Sequence, residues 1–284
     1  VKKAQLLLAS GGLLLLLLLF FVGKTVAVKE KKTVPAGEHT HSEIFDIEHA
    51  IADAKAILPA YQTAYLSAIE NSVSRGAVAS QQIRAYNQLA AFWKDSVPNA
   101  DLYIFYTATA ANLVNSEKNL TFAARQIAAL FRTEADLSKR TWRASQAIDL
   151  YEKAIALNPA NDSLKVEMAG CYVFGKGMAG DAAETMKGIQ QLLEVVKRDS
   201  ANMQAQLLLG IGGVVSTQYD KAIERLLHVV QHQPGNLEAV SWLADAYAAK
   251  GDKANAVKWY QASKRLVNNP EFSQEVDERI KMLK

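Results

Sequence analysis

The sequence holds a single cysteine, Cys171, among 284 residues. One thiol excludes an intramolecular disulfide and any zinc site built from clustered cysteines. It leaves the compartment open, because a disulfide-free chain can occupy either side of a membrane. Strand pattern is also scarce: β-branched residues seldom alternate with polar ones as they do in a half-buried sheet. An excess of either charge sign is missing from most of the chain. The net charge is +3, but residues 1–32 carry six Lys against one Glu, leaving 26 basic and 28 acidic residues beyond them. That near balance gives no reason to expect nucleic acid as a partner of the folded part. No nucleophile–base pair or carboxylate pair stands out, so neither enzyme activity nor a cofactor is expected.

What the chain does have is hydrophobic material, 50% of residues against 21% charged, which is a globular rather than a disordered balance. Residues 6–22, LLLASGGLLLLLLLFFV, form an uncharged run of 17. As a helix it would span roughly 26 Å, close to the hydrocarbon core of a bilayer. Continued through Val26-Ala27-Val28 it is long enough, with Lys24 able to snorkel to the interface. The alternative is a cleaved signal peptide, but the run exceeds the usual apolar region and Thr25-Val26-Ala27 is only a fair cleavage site. The expectation is a single-pass anchor over residues 1–28, contacting the membrane through 4–28. Lys2 and Lys3 favour a cytoplasmic N-terminus while Lys24, Lys29, Lys31 and Lys32 oppose it. The inner (cytoplasmic) membrane, with the repeats outside the cytoplasm, is the expected location. Residues 29–42, KEKKTVPAGEHTHS, are a polar linker.

From residue 43 onward, apolar residues recur at three- and four-residue spacing over runs of 12 to 18 residues, the pattern of amphipathic helices. Self-comparison finds a 34-residue period. Leu209-Gly210 falls under Leu243-Ala244, Ala222 under Ala256 and Leu226 under Tyr260. Tyr86, Leu89, Ala90 and Trp93 repeat the first-helix pattern, and AIDLYEKAIALNPAN at 147–161 repeats the second. These residues resemble the tetratricopeptide repeat (TPR) family over roughly 83–270. Five units tile that span: 83–116, 117–161, 162–202, 203–236 and 237–270. The expected insertions lie near 132–142 and 175–183, at the turns inside the two longer units. A pair of helices over 43–82, starting at a Thr40/Glu43 capping box, precedes the units. A capping helix follows over 271–284, with Phe272, Val276, Ile280 and Leu283 on one stripe. The expected fold is an all-α solenoid of helical hairpins, each unit burying its apolar face against the next. A small residue in each first helix (Ala90, Ala124, Ala169, Gly210, Ala244) would let its partner helix approach.

The resemblance implies a concave groove lined by first helices and occupied by a protein partner. Family positions carried over give Arg84, Asn87 and Lys94 from the first unit and Lys118, Thr121 and Arg125 from the second. The third gives Val166, Gly170, Val173 and Phe174; the fourth gives Gln204, Leu207, Ile211, Val214 and Val215. The fifth gives Glu238, Ser241 and Asp245. Read as a surface, this groove is basic at one end, apolar in the middle and acidic at the other. An exposed apolar centre would suit a partner helix or extended peptide; a tightly curled superhelix would instead cover it. The expected function is a membrane-anchored interaction scaffold, with a holdase for exported chains as the alternative. A metal or catalytic protein is the third reading, resting on Glu38, His39 and His41 in the linker or on Glu224, His228 and His232 on one helical face. The run LLLGIGGVV at 207–215 is too short to span a bilayer and lacks the third glycine of a dinucleotide fingerprint. Gly212 and Gly213, inside a helix, suggest an unusually close helix contact.

Overall fold

Nearly every helix starts on a short polar side chain that takes up backbone N–H groups the helix cannot satisfy itself. Asp46, Asn99, Ser116, Asp136 and Asn161 each accept from a backbone N–H two or three residues on. Asp181, Asn202, Asn236, Asp252 and Asn269 do the same further along the chain. Each such cap contributes about 1 kcal/mol. Left-handed residues end two of the same helices: Asn115 closes the one begun by Asn99 at φ 46° and Gly251 the one begun by Asn236 at φ 88°.

A computed structural model describes residues 45–75 and 78–283. The apolar run of 1–28, the linker of 29–42 and the Thr40/Glu43 capping box lie outside these residues. Among the described residues no helix is long and apolar enough to cross a membrane. The chain enters through α1 (Ile47–Ala56) and α2 (Ala60–Arg75). Five hairpins follow: α3 (Ala79–Ala91) with α4 (Ala100–Val114), α5 (Glu117–Phe131) with α6 (Leu137–Leu157), and α7 (Asp162–Gly170) with α8 (Ala182–Arg198). The last two are α9 (Met203–Val215) with α10 (Tyr219–His232), and α11 (Leu237–Lys250) with α12 (Lys253–Leu266). Helix α13 (Pro270–Met282) packs on α12 and buries Val276, with Phe272, Ile280 and Leu283 partly buried around it. This is an all-α solenoid of tetratricopeptide-like hairpins, with no strand among the described residues.

The periodic small residue has a visible use. Ala124, Ala169 and Ala244 are fully buried, and a Cβ added at Gly210 would lie 2.6 Å from Leu226 Cγ of the partner helix. A Cβ at Gly213 would lie 3.0 Å from Ala222 Cβ and one at Gly212 3.1 Å from Ile189 Cγ1 of α8, so α9 is in close contact on two sides. One continuous core runs from Ile104 to Ala246. A second, around Leu66, Leu89, Trp93 and Leu102, joins the N-terminal helices to α3 and α4.

Neither insertion is confined to a loop at a turn. Most of the first lengthens α6 to 21 residues, giving it extra turns at its start. Those turns carry Arg143, which is buried and bonds Asp101 of α4 and Glu134, both at 2.7 Å. They also carry Trp142, whose ring meets Phe45 edge-on at 5.0 Å. A buried guanidinium needs paired acids to offset its desolvation, and Asp101 of the preceding unit and Glu134 supply them. The second insertion continues α7 through a wide π-helical turn (Cys171–Lys176) and a 3-10 turn (Gly177–Ala179) before α8 begins. A similar π-helical turn, Phe92–Ser96, ends α3.

Candidate functional site

The side chains of α5 define the open part of the concave face. Lys118, Phe122, Arg125, Ala129 and Arg132 follow one another at spacings of four and three, which places them on a single helical face. All five are exposed. Phe122 stands out because 63% of a large ring is left in solvent between two cations. On α3, Arg84 and Asn87 are exposed, and Lys94 in the π-helical turn lies 5.7 Å above the Tyr103 ring.

Towards α7 and α9 the surface dips into a cavity of about 230 Å³. Its walls are Ala128 and Phe131 of α5, Tyr151 of α6, Val166 and Gly170 of α7, then Cys171 and Phe174, with Gln204 and Leu208 opposite. Arg125, Glu167 and Arg132 add the charge. Arg125 holds Glu167 through two bonds, Nε to Oε2 at 2.7 Å and Nη2 to Oε1 at 2.6 Å. The Tyr151 hydroxyl donates to the same carboxylate at 2.9 Å. The Glu167 hydrogen bond raises the Arg125 pKa, while burial pushes the Tyr151 hydroxyl up. Burial likewise pushes the Cys171 thiol up, so it stays protonated for as long as it is shielded.

Beyond this cavity the expected open apolar floor is closed. Val166, Val173, Phe174, Leu207 and Ile211 are buried in the main core, at 8% exposure or less. Val214 and Val215 are half-buried against it. The physical reason is curvature. Helix α9 packs directly on both α7 and α11, so the first helices draw together and cover the side chains between them. A chord crosses the curl: Arg132 Nη2 at the end of α5 bonds Glu238 Oε1 in the first turn of α11 at 2.6 Å. The same guanidinium lies 4.2 Å above the Phe174 ring, and Trp242 approaches that ring at 6.5 Å. The acidic end is consumed in a similar way. Asp245 accepts from Tyr260 and from Arg279 Nη1 of α13 at 2.9 Å, and Ser241 is half-buried.

Spacing alone did not mark Phe122, Arg132, Tyr151 or Glu167 as members of this surface. Phe122 could have been found, since it lies four residues after Lys118 and three before Arg125. Glu167 and Tyr151 could not, because their roles depend on the distance between neighbouring units. As for metal, no cluster of His, Cys, Asp or Glu able to hold an ion occurs among the described residues. His232 Nδ1 instead faces the His228 carbonyl at 2.9 Å. Glu38, His39 and His41 lie outside the described residues.

Residues 214–269, which span the end of α9 through α12, match the family model for the tetratricopeptide repeat. No curated protein sequence matches the chain. Among solved structures the chain is similar to the MamA protein, at 15% identity and a TM-score of 0.44, covering 66% of this chain and 92% of that one. It is also similar to YrrB, described as a TPR protein with an unusual peptide-binding site, at 15% identity and a TM-score of 0.44, over 74% and 98%. A tetratricopeptide repeat protein from Parabacteroides merdae aligns at 14% identity and a TM-score of 0.42, over 76% and 84%.

Proposed function

We propose that the chain is a membrane-anchored interaction scaffold that holds a segment of a partner protein along α3 and α5. The observation that carries this reading is the exposed stripe of Lys118, Phe122, Arg125, Ala129 and Arg132 beside the cavity. An exposed aromatic ring between cations has little structural use and is typical of a surface that becomes buried on binding. The 17-residue apolar run at 6–22 supports the anchor, and the repeats lie outside the cytoplasm in this reading. A photo-crosslinking residue placed at Phe122 or Ala129 in intact cells tests the surface. One stoichiometric adduct, absent when the label sits at buried Val166, is the expected result. A broad spread of unrelated adducts would instead indicate a holdase, and no adduct would remove the proposal. Protease accessibility in membrane vesicles checks the orientation.

A further inference from the structure

We propose that the Arg132–Glu238 pair is a latch by which the chain closes its own groove. This deepens the reading of the concave face as a binding surface, but its test needs no partner. The two residues lie 106 positions apart, on the first helices of the second and fifth hairpins, and their 2.6 Å bond bridges over α7 and α9. The side chain of Arg132 does two things at once. It ties the second hairpin to the fifth, and it lies over the ring of Phe174 in the wall of the cavity. Both partners remain in contact with water, Arg132 at 48% and Glu238 at 36% exposure. Solvent therefore competes for the bond, and the latch opens without unfolding any helix. The neighbouring Arg125–Glu167 pair differs, because Tyr151 fixes its carboxylate from a third helix. Arg132 is the cation that can swing away. Its release uncovers the Phe174 ring and widens access to the cavity wall that holds Cys171. The inner face then alternates between a closed state, bridged by its own ion pair, and an open state with Arg132 withdrawn from Phe174.

The chain carries its own reporter. Cys171 is the only cysteine, lines this cavity and is 1% exposed. Its modification by a thiol reagent in the native state measures how often the groove opens. Glu238→Gln and Arg132→Gln should each raise the labelling rate about fivefold, the upper range for an exposed pair. Added salt should speed labelling of the wild type towards that rate and leave both variants unchanged. Arg198→Gln breaks an exposed pair with Asp162 that does not line the cavity, and it should label like the wild type. Equal rates in the wild type and both latch variants would overturn the latch. So would a rise in Arg198→Gln as large as theirs, because labelling would then report general loosening. If a latch variant lost helical circular dichroism, the wild-type salt response alone would decide, and its absence would also overturn the proposal. Loss of partner crosslinks at Phe122 would remove the binding reading and leave this result standing.

Discussion

The concave face is built from one repeat but finished in two ways. Along α3 and α5 the inward face is mostly charged or polar and stays in water, Phe122 included. Along α7 and α9 the inward residues are mostly apolar and vanish into the core, and along α11 the acidic ones are tied up in bonds within the chain. A repeat fixes which positions point inward; it does not fix how closely neighbouring units lean together. In the second half that lean comes from glycine-permitted approach in α9 and from the π-helical turn that carries Phe174 under Arg132. An inward apolar residue therefore serves as core where the units close up, and as a binding surface only where they do not.

Truncation should separate the halves most sharply. Ile211 is fully buried at the centre of the closed half, so Ile211→Ala should cost about 2–5 kcal/mol in a urea melt. Phe122→Ala, in the open half, should stay within about 0.5 kcal/mol while weakening any partner captured at that stripe. Comparable losses at the two sites would erase the distinction. A smaller contrast lies between two glycines a turn apart. A Cβ at Gly175 would meet Ala144 Cβ at 2.2 Å, whereas one at Gly170 would meet only Leu208 at 3.7 Å, an ordinary contact. Gly175→Ala should destabilise by about 1–3 kcal/mol through overpacking against α6. Gly170→Ala should be neutral or stabilising by up to about 1 kcal/mol, since alanine is the better helix former. If Gly175→Ala proved harmless, the second insertion would not be pressing α7 against α6.

Much of the fold could be read from the chain before any coordinates. The 34-residue period located the hairpins, and the small residues at 124, 169, 210 and 244 located their close contacts. The insertions lie near the expected turns, but length alone does not reveal what conformation extra residues take. Leu137 to Arg143 continue a helix because Asp136 caps it and because Asp101 and Glu134 neutralise Arg143, and those partners come from elsewhere in the chain. Exposure was legible on α3 and α5, where it follows directly from helical position. It was not legible on α7 to α11, where exposure depends on the curl. The Arg132–Glu238 chord joins residues too far apart in sequence for any local pattern to pair them.

The smallest expected effect concerns the acidic end of the groove, where Asp245 is held by the chain itself. Tyr260 donates its hydroxyl to Asp245 from a site that is 6% exposed. Burial, and then this hydrogen bond, push the Tyr260 hydroxyl up to about 12 from its ordinary value of 10.0. The folded chain thus keeps the proton longer than the unfolded chain does. That contribution to stability is complete below pH 10 and is lost as the pH climbs towards 12. Tyr260→Phe should cost about 1 kcal/mol near neutral pH, the worth of one hydrogen bond, because Arg279 still satisfies Asp245. The variant should also lose less of its melting temperature between pH 10 and 12 than the wild type does. Identical alkaline curves for the two proteins would mean that Asp245 is not held by Tyr260, and that this end of the face is as open to a partner as the stripe on α5.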